Sequence, residues 1–276
     1  MSTTYHDHAA KLTLPHQLFI DGKWIEAASA KTFDNINPGT GEVLNTIAEG
    51  DAEDVNRAVA SARKAFDRGH WSNMAPKDRK KVLIRLADLM DQHKEELALL
   101  ETLDVGKPIG DSLAVDVPSS ANCMRWYGEA CDKVYDEVAP SGPHAFGTIT
   151  REAVGVVAAV VPWNFPLLMA CWKLGPALAA GNSVVLKPAE QTPMTALRIA
   201  ELAMEAGLPE GVLNVVSGFG PTAGKALGLH MDVDCLACTG SGEVGKRFLQ
   251  YAGQSNMKRV CLECVGQTTT RVFDDW

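Results

Sequence analysis

Asn164, Lys187, Glu190, Ser241 and Glu263 are the residues of this chain whose types suit chemistry, and each follows or ends a short apolar run. The ends read Pro162-Trp163-Asn164-Phe165-Pro166, Lys187-Pro188-Ala189-Glu190, Gly218-Phe219-Gly220, Thr239-Gly240-Ser241 through Gly245, and Leu262-Glu263-Cys264. In open α/β sheets ligands bind beyond the carboxyl ends of the strands, so five such ends imply one shared site. The turn Thr239-Gly240-Ser241-Gly242 opens a helix. Its unpaired backbone N–H groups and positive dipole end suit a phosphate. Gly220 and Gly224 belong to a second strand-to-helix glycine turn, and either turn can equally be a plain βα connection. Lys187 and Glu190 can grip ribose hydroxyls or form a solvated ion pair. The Asn164 amide can donate to a developing oxyanion or cap the following helix. Glu263 follows a buried strand, where desolvation raises a carboxyl pKa and makes a general base; the bland alternative is a carboxylate pointing to water.

The elements that position these groups read as an α/β series. Val154 to Val161 is a nearly continuous β-branched and Ala run, as in a strand covered on both faces. The spacing then predicts a helix over Phe165 to Ala180, a strand over Ser183 to Leu186 and a helix opened by Pro193. A strand over Val212 to Val216, a helix over Pro221 to Leu229 and a strand over Val233 to Cys238 follow. A helix over Ser241 to Ala252 and a strand over Arg259 to Glu263 complete the run, with right-handed crossovers. Upstream, Leu18 to Ile25 reads as a hairpin turned by Asp21-Gly22, and Ile36 to Gly41 as loop. Asp51 caps one helix, Pro76 opens a longer one that stops at Gly106-Lys107-Pro108, and a third spans Ser119 to Val138. Thr148 to Glu152 alternates like a half-exposed strand. Phe165, Leu168, Met169 and Trp172 share one helical face, which is either a substrate lining or a core stripe.

Bulk properties fit an ordinary globular chain: 276 residues, 46% hydrophobic and 22% charged. A net charge of −8 argues against nucleic acid or an anionic membrane as the main partner. No apolar run is long enough to span a bilayer, and the polar first eleven residues lack a signal-peptide core. Seven cysteines are too sparse for a disulfide scaffold, and the odd count suits a reducing cytosol, so a cytoplasmic location is expected. Cys235-x-x-Cys238 and Cys261-x-x-Cys264 imitate a four-thiolate zinc site. Positions i and i+3 of a strand face opposite sides, however, so buried thiols without metal are the better expectation.

Taken together, the clusters resemble the NAD(P)-dependent aldehyde dehydrogenase superfamily from about Leu18 to Glu263. The resemblance implies a Rossmann-like open parallel sheet with helices on both faces and a small β arm for subunit contact. It divides the chain into 1–134 (first part of the cofactor domain), 135–153 (oligomerisation arm) and 154–265 (NAD-binding βαβ core). Residues 266–276 would be the truncated start of a catalytic domain that is otherwise absent. By resemblance Asn164 supplies the oxyanion hole and Glu263 the general base. Trp163, Lys187, Glu190, Gly220, Gly224, Gly240, Ser241, Val244 and Gly245 hold the cofactor. Phe165, Leu168, Met169 and Trp172 line the aldehyde tunnel. NAD is favoured over NADP because the Glu190 carboxylate would repel a 2′-phosphate. The partners implied are a small aldehyde and further copies of the chain.

Two departures qualify the resemblance. The family's nucleophilic cysteine is expected a few dozen residues after the base, past Trp276, so this chain is expected to be inactive alone; the alternative is a non-catalytic NAD-binding or subunit-pairing fragment. Val265 also stands where a glycine would let the nicotinamide approach. The segments RWYGEACDKVYDEV and PWNFPLLMACWKLGPALAAGN look most similar to the branch oxidising γ-glutamyl-γ-aminobutyraldehyde in putrescine breakdown.

Overall fold

Alternate burial along Val156–Val160 organises the molecule, sending successive side chains into two separate cores. The computed structural model describes residues 3–265. After a short helix α1 (Thr3–Ala9), the hairpin of β1 (Leu18–Ile20) and β2 (Lys23–Ile25) turns through Asp21 and Gly22, both at positive φ. A second hairpin, β3 (Thr32–Ile36) with β4 (Val43–Ala48), brackets the expected Ile36–Gly41 loop. Helix α2 (Ala52–Arg68) begins at an Asp51 capping box and ends at the left-handed Gly69, satisfying both helix ends.

The expected single helix from Pro76 to Gly106 is two, α3 (Pro76–Gln92) and α4 (Lys94–Val105). His93 breaks it, serving as the C-cap of one and the N-cap of the other. The sequence at the break, Asp91 to Glu96, is wholly polar, so no apolar stripe holds the two halves in line. A single turn, α5 (Ile109–Asp111), and a π-helical turn at Ser112–Asp116 lead into α6 (Val117–Ala130). The third helix expected to reach Val138 therefore stops eight residues short, because Glu137–Ala139 (β5) pairs instead with Gly147–Ile149 (β6).

From there the βαβ series runs as the pattern predicts. It comprises β7 (Val156–Val160), α7 (Pro166–Ala179), β8 (Ser183–Lys187), α8 (Met194–Glu205) and β9 (Leu213–Val215). A π turn at Gly220–Gly224, α9 (Lys225–Leu229), β10 (Cys235–Ser241), α10 (Gly242–Gly253) and β11 (Arg259–Val265) follow. Two boundaries shift. Thr239, Gly240 and Ser241 extend β10 rather than forming a turn, and β11, expected to end at Glu263, runs on to Val265, because the two strands stay paired through Ser241 and Val265.

The seven strands order as β11-β10-β7-β8-β9-β1-β2, parallel from β11 to β9 and antiparallel thereafter. Val157, Ala159, Val184, Leu186 and Val215 pack on one face against α3, α6, α7 and α8. Val156, Ala158, Val185 and Leu236 pack on the other against α2, α9 and α10. Burial on both faces accounts for the unbroken apolar runs of the central strands. The β5–β6 hairpin forms a separate two-stranded sheet, with Val138, Phe146 and Ile149 exposed.

Candidate cofactor and catalytic site

The chain runs from β7 to β8 and β9 on one side, then crosses back to β10 and β11 on the other. The crevice between the carboxyl ends of β7 and β10 is thus a topological switch point, where open α/β sheets bind ligands. Register puts Lys187, Val160, Cys238 and Leu262 in one row across four strands. Glu263 stands one residue beyond that row and Asn164 four residues beyond Val160, both on the same rim.

Asn164 sits in a turn bracketed by Pro162 and Pro166, with Trp163, Asn164 and Phe165 all exposed. It does not cap α7: Phe165 occupies the N-cap position, without a side-chain cap bond. Among the described residues nothing bonds the Asn164 side chain, and its amide sits exposed at the rim.

Lys187 ends β8 with its side chain 3% exposed. Burial lowers its pKa, and the neighbouring Glu190 opposes that shift. Its ammonium donates to the Pro188 carbonyl at 2.8 Å and to Glu190 Oε2 at 3.5 Å. That leaves one of three donors for a ribose hydroxyl. The π turn brings Gly224 beside this lysine, and a side chain there would meet Lys187 Cδ at 3.8 Å.

At the other wall, Ser241 is the N-cap of α10, its Oγ accepting from Val244 N at 3.2 Å. A Cβ added at Gly220 or Gly242 would meet nothing within 4 Å, so both backbones stay open to a phosphate. Gly240 is nearly as open, whereas Gly245 serves packing: its Cβ would come within 2.7 Å of Cys264 Sγ.

Glu263 corrects the expectation of a raised pKa. Its side chain is 54% exposed and accepts from Lys173 Nζ at 2.5 Å and Thr239 Oγ1 at 2.8 Å. The lysine hydrogen bond outweighs desolvation and draws the carboxyl below its usual value. Lys173 itself escaped the sequence reading, although it is the one charge inside the apolar helix α7 and is buried.

The four residues read as a tunnel lining divide. Phe165 and Trp172 are exposed, Leu168 is partly buried, and Met169 belongs to the core. The cysteine pairs do not converge. Cys235 enters one core cluster and Cys238 the other, and burial pushes their thiols up to about 11 and about 12. Among the described residues no group of His, Cys, Asp and Glu could hold a metal ion. The readings of residues 266–276 lie outside the described residues.

Known proteins share this chain's sequence pattern and fold. The model of the aldehyde dehydrogenase family matches residues 24–276. The NADP/NAD-dependent aldehyde dehydrogenase PuuC of Escherichia coli (strain K12) is 56% identical over 271 residues, covering 98% of this chain and 55% of that protein. A crystal structure of indole-3-acetaldehyde dehydrogenase with NAD+ superposes with a TM-score of 0.94 at 58% identity, over 96% of this chain and 53% of that one. The crystal structure of γ-glutamyl-γ-aminobutyraldehyde dehydrogenase from Burkholderia cenocepacia J2315 gives 0.93 at 58% identity, over 95% and 53%. The chain spans about half the length of the curated relatives it matches. By the family match and these identities, the chain belongs to the aldehyde dehydrogenase family.

Proposed function

We propose that this chain is the cofactor-binding part of an NAD-linked enzyme that oxidises an amino-aldehyde such as γ-glutamyl-γ-aminobutyraldehyde to its acid. The carrying observation is the switch-point crevice. It sets the open start of α10 on one side and the Asn164 amide, unbonded among the described residues, on the other, with Lys187 and Glu263 on the same rim. The residues fit a dinucleotide: Lys187 and Glu190 take ribose hydroxyls, while Ser241 and Gly242 at the start of α10 take the pyrophosphate. The bound cofactor supplies a hydride acceptor. Similarity to the Burkholderia enzyme supports the substrate class.

The chain's own residues then have distinct tasks. The Asn164 amide donates to the aldehyde oxygen as negative charge develops there, which stabilises the transition state more than the ground state. Glu263 removes a proton from the water that releases the acid. In the hydrogen-bonded state described, Lys173 makes Glu263 a weak base, so proton abstraction requires that contact to loosen. We assign the attacking thiol to none of the buried cysteines: Cys171, Cys235 and Cys238 all have pKa values raised by burial, which suppresses the thiolate. Seven unpaired thiols support a reducing, cytoplasmic setting. The exposed Val138, Phe146 and Ile149 of the β5–β6 hairpin support pairing with further copies of the chain.

Calorimetry with NAD+ on the folded chain tests the reading. Saturable binding that Lys187→Met weakens is expected. Folded protein that binds no NAD+ would refute it.

A further inference from the structure

The turn that carries Asn164 has little bonding of its own, because Pro162 and Pro166 have no N–H to give. Among the described residues, the Asn164 carbonyl is met by the ammonium of Lys107, Nζ to O at 3.2 Å. The same Nζ lies 3.0 Å from Asp116 Oδ2 and 4.2 Å from the centre of the Phe165 ring. Lys107 follows the left-handed Gly106 that ends α4, and Asp116 closes the π turn before α6. One cation therefore ties α4, the start of α6 and the Asn164 turn together.

The anchor is firm because its surroundings are buried. The Asp116 side chain is 2% exposed, and neither oxygen has a well-directed hydrogen bond, so the lysine charge is its main compensation. Glu101 of α4 is fully buried nearby, and burial lifts its pKa to about 8, which keeps it neutral near pH 7. The charge of Lys107 is thus left for Asp116 and for the turn. The Lys107 ammonium adds a cation–π contact with the ring of Phe165, the residue next to Asn164.

We propose that Lys107 is a positioning residue for Asn164, holding the Asn164 carbonyl and the Phe165 ring so that the side-chain amide stays presented to the crevice. This rests on Asn164 being the oxyanion donor, and it names a residue that acts on that donor from behind, without touching substrate.

The full chain labelled with 15N-asparagine tests it, with the Asn164 signals identified by their loss in Asn164→Ser. In Lys107→Met the side-chain amide pair of Asn164 is expected to broaden and move toward the position of a free asparagine. Asn182, just before β8, and Asn214 of β9, both buried, should keep their signals, and Lys107→Arg should recover most of the native Asn164 signature. A general loss of stability would move all three asparagines together. If Lys107→Met does not fold, the double variant Lys107→Met/Asp116→Asn removes both charges and is read in the same way. Native Asn164 signals in either folded variant, or equal changes at all three asparagines, would overturn the proposal. An NAD+ titration of the unaltered chain runs alongside. Absence of binding there refutes the cofactor reading, whereas a Lys107-dependent Asn164 signal still upholds the contact.

Discussion

Lys173 of α7 donates to Glu263 Oε2 at 2.5 Å, joining the helix after the Asn164 turn to the strand that carries the base. This bond is the largest cause of the lowered Glu263 pKa. Lys173→Met should therefore raise that pKa toward the ordinary glutamate value of 4.5. Carbon-13 titration of the Glu263 carboxyl measures it. A lowered pKa also means that this pair contributes stability above the unfolded-state value and loses it as pH falls through the folded value. The contribution is small because the carboxylate is half exposed and screened. An unmoved titration in Lys173→Met would show that another group lowers the pKa.

Glu101 and Asp104 give the opposite sign. Burial raises them to about 8 and about 7, against ordinary values of 4.5 and 3.8. The folded chain then holds more protons than the unfolded chain between those limits, so stability falls as pH rises from about 4 to about 8. Glu101→Gln removes one proton-linked group while keeping the shape. Its melting temperature should depend less on pH, and at pH 8 it should exceed that of the unaltered chain by a few degrees, on the order of 1 kcal/mol. Parallel melting curves for the two proteins across this range would contradict the assignment.

Gly245 separates packing from ligand approach at the start of α10. An added Cβ would sit 2.7 Å from Cys264 Sγ and 3.2 Å from Leu262 Cδ1, pressing the helix off β11. Gly245→Ala should cost about 1–3 kcal/mol in chemical denaturation, as overpacking does. Cys264→Ala in the same chain should recover much of the loss. Gly242→Ala, with nothing within 4 Å, should stay within about 0.5 kcal/mol of the unaltered chain. Equal effects at the two glycines would refute the distinction.

What could be read from the sequence follows from where each signal is stored. Val156–Val160 and Ser183–Lys187 are buried on both faces, so their apolar runs and the chemistry just beyond them are local facts. The β3–β4 hairpin was missed because its strands, TFDNI and VLNTIA, are interrupted by polar residues and show little apolar alternation. The break at His93 was missed because periodicity records the faces of a helix but not a bend in a polar stretch. The Glu263 environment was misread for another reason. Its pKa depends on Lys173, ninety residues away in sequence, and on the strand's position at the sheet edge. A lone lysine in the apolar α7 was the available clue.

Cofactor choice should turn on Glu190, held 3.5 Å from the buried Lys187 ammonium. In the proposed mode this carboxylate faces the adenosine ribose, where a 2′-phosphate would bring a second negative charge. Two unit charges about 4 Å apart in a water-like medium repel by about 1 kcal/mol, and by more where solvent is excluded. Glu190→Gln keeps a hydrogen-bonding group and removes the charge. NADP+ should then bind about fivefold tighter or more, while NAD+ loses affinity through the weakened ribose grip. The Lys187 amine, losing its counter-charge, should become easier to deprotonate, since Glu190 is the main group that opposes its downward shift. Calorimetric titration of both nucleotides into both proteins at one ionic strength decides the matter. An unchanged ratio of the two affinities would remove Glu190 from cofactor selection.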